Sequence, residues 1–223
     1  DVNSPKWEDR DRLILSKGNA GSALYAALAE VGFFSKEELK TYYQNGSKLS
    51  GHISHKGVPG VEFSTGSLGH GVCVATGIAM AGKLDGKNYR TYAVVGDGEC
   101  DEGSLWETVL FANQFRLKNY TIIVDRNNLQ SLGSCEDTME LLDLGKKFKA
   151  FGWNVIDVDG HDHAKLKEAF RKRFRNEKPI CIVAHTTKGK GVSFMENEVL
   201  WHYRDPQGEF YERAVKELEE QRP

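Results

Sequence analysis

Long hydrophobic runs are missing from the 223-residue sequence, and neither sign of charge is in excess. The most apolar stretch, residues 73–82, falls well short of the roughly 18 residues that a membrane-spanning helix needs. Thirty basic residues stand against 32 acidic residues, and the net charge of −2 disfavours a surface for polyanions such as nucleic acids. We therefore expect a soluble protein that binds neither membranes nor nucleic acid.

Cysteine is scarce, with four widely spaced residues. Because these residues form no Cys-x-x-Cys pair and follow no signal peptide, we expect reduced thiols in a cytoplasmic protein and no disulfide framework. The 39% hydrophobic and 10% aromatic content is typical of a packed globule rather than of a disordered chain. The length suits one large domain, so residues 1–223 are treated as a single domain.

Short apolar runs of strand length alternate with helical segments in the second half of the chain. Strands that are apolar throughout, each followed by a helix, indicate a parallel sheet covered on both faces. The predicted fold class is therefore α/β, a parallel sheet sandwiched by helices. The predicted strands are 91–95, 120–124, 154–158 and 180–184, and the predicted helices are 20–31, 35–43 with a Ser35/Glu38 capping box, 66–83, 102–115, 141–151, 163–174 and 209–221.

Polar residues follow two consecutive predicted strands, and ligands of such sheets bind beyond the carboxyl ends of the strands. Gly96-Asp97-Gly98 ends the first strand and Asn127 follows the next. Adjacent parallel strands would place the Asp97 carboxylate beside the side-chain carbonyl of Asn127. These hard oxygen ligands suit Mg²⁺ or Ca²⁺ holding a diphosphate. A lone Gly-Asp-Gly is equally typical of a simple turn, and the position of Asn127 favours the metal site.

A glycine-rich turn at Gly66 precedes a helix of small apolar residues. We expect the helix to begin near Gly66, where free N–H groups and the helix dipole would attract an anion. The turn lacks the Gly-x-Gly-x-x-Gly spacing of dinucleotide sites, and the sequence has no Gly-x-x-x-x-Gly-Lys-Ser/Thr loop. A nucleotide triphosphatase is therefore disfavoured.

Gly96-Asp97-Gly98 together with Asn127-Asn128 resembles the thiamin diphosphate motif, and the surrounding sequence is similar to the diphosphate-binding (PP-type) domain of transketolase. The similarity is collinear over essentially the whole chain and is closest to short two-chain transketolases, in which this domain is a separate subunit. The segments that carry it are 11–18, 60–69, 97–106, 150–153, 188–196 and 201–202.

The resemblance implies a set of site residues. Asp97, Asn127 and the backbone carbonyl of Leu129 would ligate the divalent metal, Mg²⁺ or Ca²⁺. His52 and His202 would be the catalytic histidines, because a neutral imidazole can transfer protons near pH 7. The cofactor-binding residues implied in this way are Gly66, Ser67, Leu68, Gly98, Asn127, Lys188 and His202.

The resemblance also implies a reaction and a partner. The expected enzyme is a transferase that depends on thiamin diphosphate and moves a two-carbon ketol unit from a ketose donor to an aldose acceptor. The cofactor carries the chemistry, and the protein anchors it and transfers protons. A pyrimidine-binding second subunit would complete the active site, in a heterotetramer of two chains of each kind, and this chain would be inactive alone.

Two departures from the family leave alternatives open. The Ser-Lys-Gly step is followed by Asn19 where the family has His, and an amide cannot shuttle a proton. The similarity also begins after the family's usual first segment, and the sequence leaves open whether such a segment belongs to the protein. Transfer of another two-carbon or acyl unit from a 2-oxo acid to a nonstandard acceptor is the first alternative, and a non-catalytic cofactor-binding subunit is the second.

Overall fold

The computed structural model describes residues 2–172 and 174–221, whose strands form one five-stranded sheet. The strand order is β1-β2-β3-β5-β4, and every neighbouring pair is parallel, which confirms the predicted α/β class. Because all strands run the same way, their carboxyl ends meet at one edge. The strands are β1 Arg12–Leu15, β2 Thr91–Gly96, β3 Tyr120–Arg126, β4 Asn154–Asp159 and β5 Ile180–His185.

Helices connect the strands, as the alternating pattern predicts. The seven α-helices of the described residues are α1 Gly21–Glu30, α2 His70–Leu84, α3 Gly103–Gln114, α4 Cys135–Thr138, α5 Leu144–Ala150, α6 His163–Arg171 and α7 Glu209–Glu220. Short 3-10 turns also matter for the cleft described below, namely Gly98–Asp101 after β2 and Val199–His202 near the carboxyl terminus.

The first strand was not predicted, and three predicted helices differ from the structure. Strand β1 has four residues with Ile14 as its one buried member, which is too little to stand out as an apolar run. Residues 35–43 contain the 3-10 helix Lys36–Thr41, and Ser35 accepts the N–H of Glu37 rather than that of Glu38. Helix α2 begins four residues after Gly66, and α6 ends at Arg171; the prediction for Arg173 lies outside the described residues.

The core packs α2 and α3 against the sheet around a cluster of aromatic rings. The Trp153 ring meets the rings of Tyr120 and Phe148 edge to face, with centroids 5.8 and 5.5 Å away. The buried Tyr120 hydroxyl donates to the carbonyl of Val72 at 3.0 Å, which ties α2 to β3. These contacts fix the position of α2 against the sheet.

Two further expectations concern membranes and thiols. Within residues 2–172 and 174–221, no helix combines the length and apolarity needed to cross a bilayer. All four cysteines are free, and three of them are buried. Cys100, Cys135 and Cys181 are therefore part of the core, whereas Cys73 is only partly buried.

The closest approach of α2 to β1 depends on Gly71. A Cβ atom at this position would lie 2.7 Å from the Cα of Ser16, so we expect Gly71→Ala to push α2 from the sheet and to destabilise the fold by about 1–3 kcal/mol. Gly77→Ala is the matched control, because Gly77 is exposed on the same helix with nothing within 4 Å of the added atom. The control should gain about 0.5–1 kcal/mol from helix propensity. Urea denaturation followed by circular dichroism measures both, and equal stability of the two variants would contradict this packing.

Candidate active site

A cleft of about 860 Å³ opens at the carboxyl ends of the strands. Most of the predicted site residues line it, and Ser67 is the exception, because it lies exposed beside the cleft. The structure thus brings together residues from four distant parts of the sequence. The predicted residues in the cleft are His52, Gly66, Leu68, Asp97, Gly98, Asn127, Leu129, Lys188 and His202.

Asp97 is the first residue after β2, and its side chain is fully buried. Its Oδ2 accepts the backbone N–H groups of Asn127 and Asn128 at 2.9 and 2.6 Å, while its Oδ1 accepts Nη1 of Arg126 at 2.8 Å. The predicted meeting of Asp97 and Asn127 is therefore present. It is made through the main chain of Asn127 rather than through its side-chain carbonyl.

The loop after β3 brings two further oxygen donors to the cleft. The side-chain oxygen of Asn127 accepts the N–H of Leu129 at 3.0 Å, and Asn128 adopts a left-handed conformation with φ of 63°. This turn places Leu129 on the cleft wall. A carboxylate, an amide oxygen and a main-chain carbonyl form the hard donor set that Mg²⁺ or Ca²⁺ requires, so the residues present fit such an ion.

Glycines shape the wall next to these donors. A Cβ atom at Gly98 would meet nothing closer than the Gln130 side chain at 3.8 Å, so this side of the cleft is open to a ligand. At Gly66 the same atom would lie 3.2 Å from Cδ2 of His52. The main chain at Gly66 and the His52 imidazole are therefore in contact, and both face the cleft.

The expected anion site at the start of α2 is not built as predicted. Gly69, with φ of 77°, precedes the helix, and its N–H donates to Oε1 of Glu99 at 2.9 Å. The buried Glu99 also accepts the hydroxyl of Ser16, whose oxygen accepts the N–H of Val72 at 2.8 Å. Burial raises the pKa of Glu99, although these hydrogen bonds oppose the shift. The Glu99 carboxylate therefore accepts a backbone N–H group near the start of α2, where free N–H groups were expected to bind a diphosphate.

A polar chain that the sequence did not reveal crosses the strand ends. The Lys17 ammonium, beyond β1, contacts Oδ2 of Asp125 on β3 at 2.6 Å. It passes over Gly96, where a Cβ atom would lie 3.5 Å from Cδ of Lys17. Thr186, just after β5, donates its hydroxyl to the same carboxylate. Burial opposes ionisation of Asp125, but the Lys17 charge overrides it and lowers the pKa of Asp125.

Lys188 and His202 also line the cleft, within electrostatic range of Lys17. Both are partly buried, and desolvation lowers the pKa of each. The nearby Lys17 charge lowers the pKa of Lys188 further, and the charges of Lys188 and Lys17 do the same for His202. None of the carboxylates in the described residues forms an ion pair with Lys188. The cleft therefore contains a cation without a partner and a histidine that is neutral at pH 7.

Aromatic and polar residues form the rim of the cleft. The ring of Tyr43 lies against Gly51, the residue before His52, and Tyr43 has the unusual φ of 57°. Asn19, the residue that departs from the family pattern, also lines the cleft. Tyr43 belongs to no motif, so the sequence did not indicate that it lines the cleft. Its place depends on how residues 45–65 fold, which no pattern in that segment reveals.

The charge of Lys188 can be tested through His202. Removal of this positive charge in Lys188→Met should raise the pKa of His202, because the neighbouring repulsion disappears. An NMR titration of the histidine Cε1 protons measures the change, with His202→Asn to assign the signal. Lys190→Met is the control, since Lys190 is exposed and paired with Glu196. A His202 pKa that stays constant in Lys188→Met would contradict the arrangement.

Comparison with known proteins identifies relatives along the whole chain. Residues 1–206 match the family model described as "Transketolase, thiamine diphosphate binding domain". The chain is 44% identical over 219 residues to an apulose-4-phosphate transketolase subunit of Phocaeicola vulgatus, covering 98% of this chain and 78% of the relative. It is 40% identical over 222 residues to the 6-deoxy-6-sulfo-D-fructose transketolase subunit SqwG of a Clostridium species, covering 99% and 81%.

Solved structures agree with this match. The transketolase of Campylobacter jejuni superposes with a TM-score of 0.89 at 32% identity, and the match covers 99% of this chain but 35% of that one. The chain therefore spans about a third of that solved enzyme. The predicted family, fold and class of enzyme, a ketol transferase that depends on thiamine diphosphate, are confirmed. The chain belongs to the transketolase family and corresponds to its thiamine diphosphate binding domain.

Proposed function

We propose that this chain is the cofactor-binding subunit of a two-chain transketolase. Together with a pyrimidine-binding partner chain, it would transfer a two-carbon ketol unit from a ketose to an aldose. The observation that carries the proposal is the cleft, in which an oxygen donor set for a metal lies near an unpaired lysine and a neutral histidine. The four free cysteines support the cytoplasm as the compartment.

Three residues would hold the metal. Asp97 and Asn127 would offer side-chain oxygens and Leu129 its main-chain carbonyl, with Mg²⁺ as the first choice and Ca²⁺ as the second. The open space beside Gly98 would admit the diphosphate, and Lys188 would pair with its charge. The rest of the cofactor would be lined by Gly66, Ser67 and Leu68. Gly66 and Leu68 lie on the cleft wall, and Ser67, between them, would contact the cofactor from the edge of the cleft.

Bound thiamine diphosphate supplies the carbon chemistry that breaks and forms the carbon–carbon bond. The chain's own task is to anchor this group and to move protons around the substrate. His202 suits proton transfer, because its lowered pKa keeps the imidazole neutral and able to accept a proton at pH 7. His52 is the second candidate, since its ring lies against Gly66 in the same cleft.

The names of the relatives support a partner and a class of substrate. Two relatives, of which this chain covers 78% and 81%, are named transketolase subunits, which supports a second chain here. We propose a heterotetramer as the assembly. Their named substrates, apulose 4-phosphate and 6-deoxy-6-sulfo-D-fructose, are sugars with an anionic group. We propose a sugar of this kind as substrate, and Arg204 on the cleft rim could pair with its anionic end.

The metal assignment depends most on Asp97. Asp97→Asn keeps the size of the side chain but removes its charge, so metal-dependent binding of thiamine diphosphate should weaken by about 100-fold or more. Titration calorimetry with Mg²⁺ and the partner chain present measures the affinity. Asp101→Asn is the control, because Asp101 is an exposed carboxylate on the same turn that does not line the cleft. Unchanged binding in Asp97→Asn would reject the metal site.

The reaction itself is tested by reconstitution. We expect the chain and its partner, mixed with Mg²⁺ and thiamine diphosphate, to convert xylulose 5-phosphate and ribose 5-phosphate, or the two substrates named for the relatives, by ketol transfer. Either chain alone should be inactive. Turnover of a 2-oxo acid in place of every sugar would favour the alternative that Asn19 suggests. Cofactor binding without any turnover would favour a non-catalytic subunit.

A further inference from the structure

Arg126 pairs with Asp97, and the sequence motif assigns it no role. It is the last residue of β3, and its Nη1 donates to Oδ1 of Asp97 at 2.8 Å. The Arg126 side chain is 14% exposed and that of Asp97 is 0% exposed. The ion pair is therefore shielded from solvent, and it involves a residue that the proposed function uses as a metal ligand.

The lone pairs of Asp97 are nearly all in use. A carboxylate offers about four acceptor sites, two on each oxygen. The N–H groups of Asn127 and Asn128 take both sites on Oδ2, and Arg126 takes one on Oδ1. One site on Oδ1 remains. A cation bound by Asp97 must therefore share that oxygen with a guanidinium.

Arg126 also compensates the buried negative charge of Asp97. A buried carboxylate without a positive partner is costly, and hydrogen bonds to Oδ2 alone do not remove that cost. The guanidinium supplies the charge. Besides Asp97, its partner among the described residues is the thiol of Cys135 at 3.4 Å, a weak acceptor. Asp97 is therefore the main anchor of Arg126, and Arg126 is the main counterion of Asp97.

We propose that Arg126 is a positioning residue of the metal site, which holds Asp97 in place before a divalent cation arrives and weakens the binding of that cation by sharing Oδ1. This inference rests on the proposed role of Asp97 as a metal ligand. Two positive charges on one oxygen repel each other, and the guanidinium also draws electron density from the donor atom. The site would then exchange its metal more readily than the same ligands would without Arg126.

The test uses the full chain and Mn²⁺ as the probe, with thiamine diphosphate present. Paramagnetic resonance of free Mn²⁺ gives the dissociation constant, and thermal unfolding with and without Mg²⁺ gives the stabilisation by metal. In Arg126→Met, the dissociation constant should fall by about tenfold. Its Tm without metal should be lower than that of the unmodified chain, and its rise in Tm on adding Mg²⁺ should be larger.

Two further variants separate this role from a general loss of stability. Arg126→Lys keeps the charge and should return the Mn²⁺ dissociation constant towards that of the unmodified chain. Arg10→Met removes the ion pair of Arg10 with Glu62, two partly buried side chains that contact no proposed metal ligand. This control should lower Tm and leave Mn²⁺ binding unchanged.

The outcomes distinguish this inference from the proposed function. Mn²⁺ binding in Arg126→Met that is equal to or weaker than in the unmodified chain would overturn the role of Arg126. Unchanged Mn²⁺ binding in Asp97→Asn would instead reject the metal site itself. If Arg126→Met does not fold without metal, recovery of the fold on titration with Mg²⁺ supports the proposal, and failure to recover overturns it.

Discussion

The parallel pairing of β2 with β3 is the constraint on which the rest of the cleft depends. In this register Gly96 lies beside Asp125, so Asp97 meets the main chain that leaves β3 and accepts two of its N–H groups. A slip of one residue would turn Asp97 to the opposite face and leave a buried carboxylate without donors. The register and the buried charge therefore stabilise each other, and the side chain proposed to hold a metal also helps to determine the fold.

The sheet could be predicted in large part, because β3 and β5 are apolar and buried along most of their length. Strand β1 could not be predicted, since Ile14 is its one buried residue. Because this strand was missed, a residue of the cleft was missed as well. Lys17 lies two residues beyond β1 and was not recognised as a residue at a strand end. Its contact with Asp125 spans the carboxyl end of β2, and that depends on a strand order that no local pattern reveals.

Within the site, the motif indicated that Asp97 and Asn127 lie together, but it did not indicate which residues surround them. Asp97 and Asn127 could be singled out because each carries an oxygen donor and each follows one of two consecutive predicted strands. Glu99 and Arg126 are charged residues that resemble surface positions in the sequence, and their burial becomes visible only in the folded chain. The predicted start of α2 was wrong because Gly69 has a left-handed φ of 77°, which is outside the helical region, and its N–H donates to the distant carboxylate of Glu99 in place of a local cap.

The cations around the cleft are of two kinds, and this difference connects the fold to the proposed reaction. Lys17 and Arg126 are paired with Asp125 and Asp97, whereas Lys188, and Arg204 on the rim, have no ion-pair partner among the described carboxylates. An anion that enters the cleft is therefore attracted to these two unpaired cations, and Lys188 is the more buried of them. The charge of Lys188 also holds down the pKa of His202, so its neutralisation by a bound diphosphate would raise that pKa. Cofactor binding would thereby make His202 a stronger proton acceptor at the moment when the substrate needs one.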